Sequence, residues 1–235
     1  MPGHTLEMSC LVKICGITNP EDAAMVSEAG ADYLGVLVNV HRSPRSVTPD
    51  TARTVCAAST VPVIVLTFDH RLDQLLSLIS FLRPAGIQLA GNETVDYVKK
   101  LRNEAPCEIW KSLHIPAGDT QSMTTLQVKE SIDHYSRVGV DKIVLDSVVR
   151  TKNKVLMGGT GQTFDWAEVI KIKQDIHPCL FLAGGINPRN VTDALALVDP
   201  DGIDLSSGVE KSPGKKDHRL VAALMDTIKK YDISH

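Results

Sequence analysis

The 235-residue chain is expected to fold as one (β/α)₈ barrel with parallel strands. Three observations carry that expectation. Apolar runs of strand length alternate eight times with helical segments, which implies right-handed crossovers and a parallel sheet. Eight units with no linker and no low-complexity segment suit a closed barrel of about 250 residues better than an open sheet. Where an open dinucleotide-binding sheet would carry GxGxxG after its first strand, the sequence reads Cys15-Gly16-Ile17-Thr18.

The elements follow in order. Leu11 to Cys15 is the first strand, and Asn19-Pro20-Glu21-Asp22 opens a helix with a cap, a proline and an acidic first turn. Ala23, Val26 and Ala29 give that helix an apolar side, and Gly30 closes it. Tyr33 to Val38 is the second strand, and a polar loop through Arg42-Ser43-Pro44-Arg45 leads to a helix starting at Thr48-Pro49-Asp50. Val61 to Phe68 is a nearly unbroken apolar strand, as expected where both faces are covered. Leu72 to Leu82 reads as helix, Gly86 to Leu89 as strand and Val95 to Arg102 as helix. Ile109 to Leu113 is a strand, followed by a looser helical region from about Thr124 to Val138. Lys142 to Leu145 is the sixth strand, with a glycine-rich loop at Met157 to Thr163 and a helix from Phe164.

The last two units share one design. Phe181 to Ala183 is a buried strand, Gly184-Gly185 turns the backbone, and Asn187-Pro188 reads as an N-cap with proline at the first helical position. Gly202 to Leu205 is the eighth strand, Ser206-Ser207-Gly208 its turn, and the segment after Gly214 the last helix. Two such turns facing the same way form a nest of backbone donors suited to a phosphate dianion. The loops after the seventh and eighth barrel strands are the usual place for one. Residues 1–10 read as a short disordered extension and 11–235 as the barrel.

Composition narrows the chemistry. A 43% hydrophobic, 23% charged chain is ordinary for a soluble domain with a substantial core, and a net charge of −3 argues against nucleic acid as partner. No apolar run is long enough to span a bilayer, and residues 1–8 lack the basic and apolar regions of a secretion signal. Five scattered cysteines without CxxC spacing argue against a disulfide framework or a zinc cluster and for a reducing cytoplasm. Neither clustered metal ligands, a Ser–His–Asp signature nor a Walker motif is seen, so metal, serine-hydrolase and ATPase readings drop out. Monomer and homodimer both stay open.

In a barrel, functional side chains belong at the C-terminal strand ends: Cys15, Arg45, Ala90, His114, Asp146 and Asp204. Cys15 shares a strand face with Lys13, whose charge is expected to lower the thiol pKa from about 8.5. Asp146 follows the apolar run Ile143-Val144-Leu145. A thiolate and a carboxylic acid facing each other across the mouth form an acid–base pair able to move a proton between adjacent carbons. Asp204 either orients a substrate hydroxyl or pairs with Lys13. Arg45, in a loop stiffened by Pro44, has a fork that suits a carboxylate bidentately. Met157-Gly158-Gly159-Thr160-Gly161 offers either a lid or a third set of N–H donors. No role is assigned to His114.

Several stretches together resemble the phosphoribosylanthranilate isomerase family: Lys13-Ile14-Cys15-Gly16-Ile17-Thr18, Val144-Leu145-Asp146, Gly158-Gly159-Thr160-Gly161-Gln162-Thr163-Phe164-Asp165-Trp166, Leu182-Ala183-Gly184-Gly185-Ile186-Asn187-Pro188-Arg189-Asn190-Val191, Asp204-Leu205-Ser206-Ser207-Gly208-Val209-Glu210 and Ser212-Pro213-Gly214-Lys215-Lys216-Asp217. They run in the family's order from about Leu11 to the last helix. The resemblance implies a cofactor-free Amadori rearrangement of a phosphosugar substrate in tryptophan biosynthesis. It implies Asp146 as general acid, Cys15 as general base and Arg45 on the anthranilate carboxylate. Amides around Gly159, Thr160, Gly161, Gly185, Ser207 and Gly208 would hold the phosphate. Two departures stand out. Gln88-Leu89 is followed by Ala90-Gly91-Asn92 where the family has Gln-Leu-His-Gly and then an acidic residue, and the second strand reads Val36-Leu37-Val38-Asn39 where phenylalanines are usual. Both fall where the aromatic ring belongs. They leave two alternatives: an isomerase of a related aminoaldose phosphate, and a non-catalytic barrel binding a phosphorylated ligand.

Overall fold

The parallel ladder closes on itself. In a computed structural model describing residues 10–117, 124–151, 154–157, 166–173 and 178–234, eight strands pair in chain order: β1 (Leu11–Ile14), β2 (Tyr33–Val38), β3 (Val63–Thr67), β4 (Gly86–Leu89), β5 (Glu108–Ala117), β6 (Lys142–Thr151), β7 (Cys179–Ala183) and β8 (Gly202–Leu205). β8 returns to β1 with Lys13 opposite Asp204, and β1 pairs with β2, so the sheet has no open edge. Outside lie eight helices among the described residues: α1 (Pro20–Glu28), α2 (Pro49–Ala58), α3 (Leu72–Leu82), α4 (Val95–Glu104), α5 (Thr125–Arg137), α6 (Trp166–Lys173), α7 (Val191–Val198) and α8 (His218–Ser234). The fold is the (β/α)₈ barrel that the alternation implied.

Local chemistry explains where the helices begin. Asn19 accepts from the Asp22 amide at 2.8 Å with Pro20 next in line, and Thr48, Thr94 and Thr124 cap α2, α4 and α5 in the same way. Thr124 and Gln127 complete a reciprocal capping box. One expected start is displaced. Pro188 to Asn190 form a turn, and α7 begins at Val191. The Asn187 amide donates to Asn190 Oδ1 at 2.8 Å, while its own Oδ1 accepts from the Arg189 amide at 2.9 Å. The Arg189 bond is the capping bond expected of Asn187, and Asn187 O accepts from the Asn190 and Val191 amides at 3.2 and 3.1 Å, so the capped turn leads into α7.

Two strands run longer than their apolar runs suggested. β5 and β6 stay in register out to Ala117 opposite Val149, and Lys154–Met157 folds back antiparallel onto β6. Met157 therefore ends a strand, where the sequence pattern had it opening a loop. Each long strand supplies the other's ladder partners, a signal that a window on one strand cannot contain. The first strand ends at Ile14, one residue short of Cys15.

Burial divides into two layers. Outward-facing residues of the strands pack under the helices in one continuous aliphatic core. Inside the barrel, Ile64, Trp110, Val144, Phe181 and Ala183 form a second cluster. There the Trp110 ring lies 5.0 Å from Tyr33 and 4.8 Å from Phe181. Above this aromatic plug the interior turns polar. All five cysteines are free thiols.

A buried network ties the tops of β4 and β5 together. Lys111 Nζ sits among four oxygens at 2.8 to 3.1 Å, the carbonyls of Leu89, Gly91 and Ser112 and Glu93 Oε2, while Glu93 Oε1 accepts from the amides of Asp69 and Gly91. Next to it the His114 ring meets the Ala90 carbonyl at 3.0 Å through Nε2, which must therefore donate. Burial pushes the His114 pKa below its ordinary value and Lys111 adds to this, against the Ala90 carbonyl and Glu93.

Removing one partner of the Lys111–Glu93 pair strands the other in the core, so Lys111→Met should lose about 3–5 kcal/mol of stability. The denaturant midpoint should fall at unchanged slope, and adding Glu93→Gln should recover part of the loss. His114 sets a pH effect. Its folded pKa lies below its unfolded value of about 6.5, so the unfolded chain takes up the proton first and stability falls as pH drops through that value. His114→Asn should narrow the difference in Tm between pH 7 and pH 5.

Candidate active site

A cavity of about 730 Å³ opens at the C-terminal end of the barrel. Strand alternation turns Cys15, Gln88, Ala90, Ser112, His114, Val144, Asp146 and Asp204 into it, and all of them line it. Cys15 follows β1 and Asp146 lies on β6, with two strands between them on one side of the barrel and four on the other. They face one space, as the acid–base expectation requires. A larger, more open groove of about 1000 Å³ lies alongside, with Asn39, His41, Phe68 and Asp69 shared between them.

The two C-terminal turns form the cavity's far wall. Gly184 (φ +88°) and Gly185 (φ +70°) adopt the left-handed conformation that glycine takes without strain, and both line the cavity with Ser207. Gly208 lies against the first turn, where a Cβ would overlap the Ile186 carbonyl. The two turns thus adjoin, and both reach one cavity. Gly159, Thr160 and Gly161, and the helix start at Phe164, lie outside the described residues.

Cys15 is set by its neighbours. Its amide donates to Leu205 O at 2.8 Å, and its carbonyl accepts from Lys216 Nζ at 2.5 Å. On β2, Gly35 leaves room for the sulfur, since a Cβ there would come within 2.6 Å of Sγ. The expected lowering of the thiol pKa is reversed. Burial pushes it up and outweighs Lys13, with Asp204 adding to the rise and Lys216 opposing it. The sequence reveals the lysine two residues away, whereas the desolvation comes from distant strands.

Asp204 does what one of its two readings proposed. Its Oδ2 accepts from Lys13 Nζ at 2.8 Å, with both side chains buried, and burial fails to depress Lys13 because Asp204 and Cys15 raise its pKa. Asp204 Oδ1 is buried without a hydrogen-bond partner among the described residues, so the other reading keeps an acceptor. Asp146 sits in register with His114, which also lines the cavity although sequence reasoning gave it no role.

Arg45 departs from expectation. Its Nε lies 2.9 and 3.1 Å from the two oxygens of Glu210, and its Nη2 lies 2.7 Å from Oε2. That edge of the fork is occupied within the protein, so a bidentate grip on a substrate carboxylate is not available there. Nη1 makes no hydrogen bond among the described residues. Gly16 (φ +79°) makes the approach possible, because a Cβ there would come within 2.6 Å of Arg45 Cδ. Glu210 is the residue that sequence reasoning missed. Burial acts to raise its pKa, but Arg45 and Lys216 together hold it below the usual carboxylate range.

Among the described residues no group of His, Cys, Asp and Glu is arranged to hold a metal ion, and no helix is long and apolar enough to cross a membrane. Residues 12–227 match the family model described as N-(5′-phosphoribosyl)anthranilate (PRA) isomerase. An N-(5′-phosphoribosyl)anthranilate isomerase of Halobacterium salinarum is 34% identical over 217 residues, covering 91% of this chain and 93% of the relative. The crystal structure of phosphoribosyl anthranilate isomerase from Thermotoga maritima superposes with a TM-score of 0.79 at 30% identity, covering 94% of this chain and 99% of that one. A phosphoribosyl anthranilate isomerase solved in complex with reduced 1-(o-carboxyphenylamino)-1-deoxyribulose 5-phosphate gives a TM-score of 0.76 at 27% identity, with 94% and 99% covered. A family-model match over nearly the whole barrel, with relatives above 30% identity along its length, establishes that the chain belongs to the N-(5′-phosphoribosyl)anthranilate isomerase family.

Proposed function

We propose that the chain converts N-(5′-phosphoribosyl)anthranilate into 1-(o-carboxyphenylamino)-1-deoxyribulose 5-phosphate, a step of tryptophan biosynthesis. The observation that carries this reading is the meeting of Cys15, Asp146 and the Gly184-Gly185 and Ser207 turns on one cavity. A phosphosugar anchored by main-chain amides at those turns puts its ring between the thiol and the carboxyl group.

In this mechanism Asp146 gives its proton to the ribose ring oxygen, the bond from that oxygen to C1′ breaks, and the anthranilate nitrogen becomes a Schiff base. The Cys15 thiolate then takes the proton from C2′, and the electron pair moves toward nitrogen to leave an enolamine. Tautomerisation, with a proton delivered to C1′, gives the ketone. Asp204 Oδ1 accepts from a ribose hydroxyl while its Oδ2 accepts from Lys13. Arg45 meets the anthranilate carboxylate through Nη1. The ring end is bounded by Ala90 and the His114 imidazole, so a histidine still stands on that wall from the neighbouring strand.

The direct test follows the fluorescence of phosphoribosyl anthranilate as it is consumed. Cys15→Ser and Asp146→Asn should each lose about 10²- to 10⁴-fold in kcat/KM. Wild type no faster than these variants would rule the reading out. Asp146→Ala should keep its Tm within a few degrees, because the group sits at a solvated mouth and not in the aliphatic core. Burial holds Cys15 above its ordinary pKa of about 8.5, so the thiolate is the minor form near neutrality. Where Cys15 limits the rate, kcat/KM should climb with pH above 7 and level off only on the alkaline side.

A further inference from the structure

One sequence motif has no part in the mechanism above. Ser212-Pro213-Gly214-Lys215-Lys216-Asp217 forms the return of a small antiparallel hairpin in which Glu210 pairs with Lys216 and Ser212 with Lys215. The hairpin is latched to the segment after β1. Thr18 Oγ1 donates to the Gly214 carbonyl at 2.5 Å, and the Lys216 amide donates to Asp22 Oδ2 at 3.0 Å. The Lys216 side chain, fully buried, is thereby carried under the cavity mouth.

Its Nζ has three close oxygens: Cys15 O at 2.5 Å, Glu210 Oε1 at 2.9 Å and Ser206 O at 3.2 Å. An ammonium has three N–H donors and no lone pair, so this shell fits the charged form. A neutral amine would turn its lone pair onto an oxygen. We infer that Lys216 is a positioning residue for the general base: it pins the Cys15 carbonyl and supplies the excess positive charge that favours the thiolate.

The charge count around Cys15 supports this. Lys13 and Asp204 face the thiol from β1 and β8 as a matched pair with no net charge. Arg45, Glu210 and Lys216 form a second group of two cations and one anion, with net charge +1. Deleting the Lys216 charge would leave Arg45 and Glu210 matched as well, and only Lys13, itself paired with Asp204, would offset the burial of the sulfur. Asp146, across the cavity, works against the thiolate whenever it is ionised. The direction in which Lys216 acts on the thiol, downward against burial, agrees. Position adds to charge. With the Cys15 amide on Leu205 and its carbonyl on Lys216, the peptide units on both sides of the base are held.

The inference rests on Cys15 being the base, and the experiment separates the two. Alkylation of Cys15 by iodoacetamide is followed against pH by mass spectrometry of its own peptide, alongside kcat and KM for phosphoribosyl anthranilate. In Lys216→Met the alkylation midpoint should rise by about one pH unit or more. The drop in kcat should be largest at pH 7 and partly relieved at higher pH, with KM changed far less. Lys216→Arg should recover part of the loss. Glu210→Gln, which leaves both cations unopposed, should lower the midpoint, and it keeps the idea testable if Lys216→Met does not fold. An unmoved midpoint in both variants, or a loss of kcat equal at every pH, would overturn the assignment. Absence of turnover in wild type would instead remove the proposed function, while the midpoints would still decide about Lys216.

Discussion

The structure depends on a lysine and an aspartate that meet inside the barrel at the seam where the sheet closes. Lys13 and Asp204 are 191 residues apart, yet they are direct partners in the β1–β8 register and bonded at 2.8 Å. Both are buried, so neither charge is tolerable without the other. Sliding β8 by one residue would set Lys13 against Ile203 or Leu205 and turn Asp204 out of the barrel. An ion pair is a modest source of stability but a strict specifier of register. The register in turn decides which side chains of eight strands stand at the mouth.

That pair also separates two media. Beneath it Trp110, Tyr33 and Phe181 fill the barrel with aromatic surface, and above it the lining is thiol, carboxyl, amide and imidazole. Each polar group at the mouth has a supporting partner in the protein, and the partners differ in kind. Asp204 has a full cation, His114 a carbonyl, Arg45 a carboxylate and Cys15 the Lys13 ammonium that it shares with Asp204, together with hydrogen bonds to its backbone.

The loops contribute through close backbone approach more than through side chains. Gly16 lets Arg45 pass over it, Gly35 makes room for the Cys15 sulfur, and Gly208 allows the eighth turn to rest on the seventh. Each replaces a Cβ by space at a point where two distant segments touch. Glycine here is a packing residue, and its position marks the walls of the cavity as surely as the polar groups do.

Much of this was legible in the order of residues. Tyr33–Val38, Leu72–Leu82, Gly86–Leu89 and Gly202–Leu205 were readable to the residue, because strand and helix periods and their terminating residues are local signals. The identities of Cys15, Asp146, Asp204 and the paired turns followed from their places at strand ends, and the ordered set of motifs pointed to the family. What failed was non-local. β5 and β6 run on past their apolar runs because each is the other's ladder. Arg45 has one edge of its fork taken by Glu210, 165 residues away, a partner that no local window holds. The sign of the Cys15 shift reversed because burial is made by strands that no window on the sequence contains. The sequence by itself determined which groups exist and the period that aims them; only the folded barrel decided their partners and their solvation, because desolvation and charge pairing depend on distance in space, which chain separation does not encode.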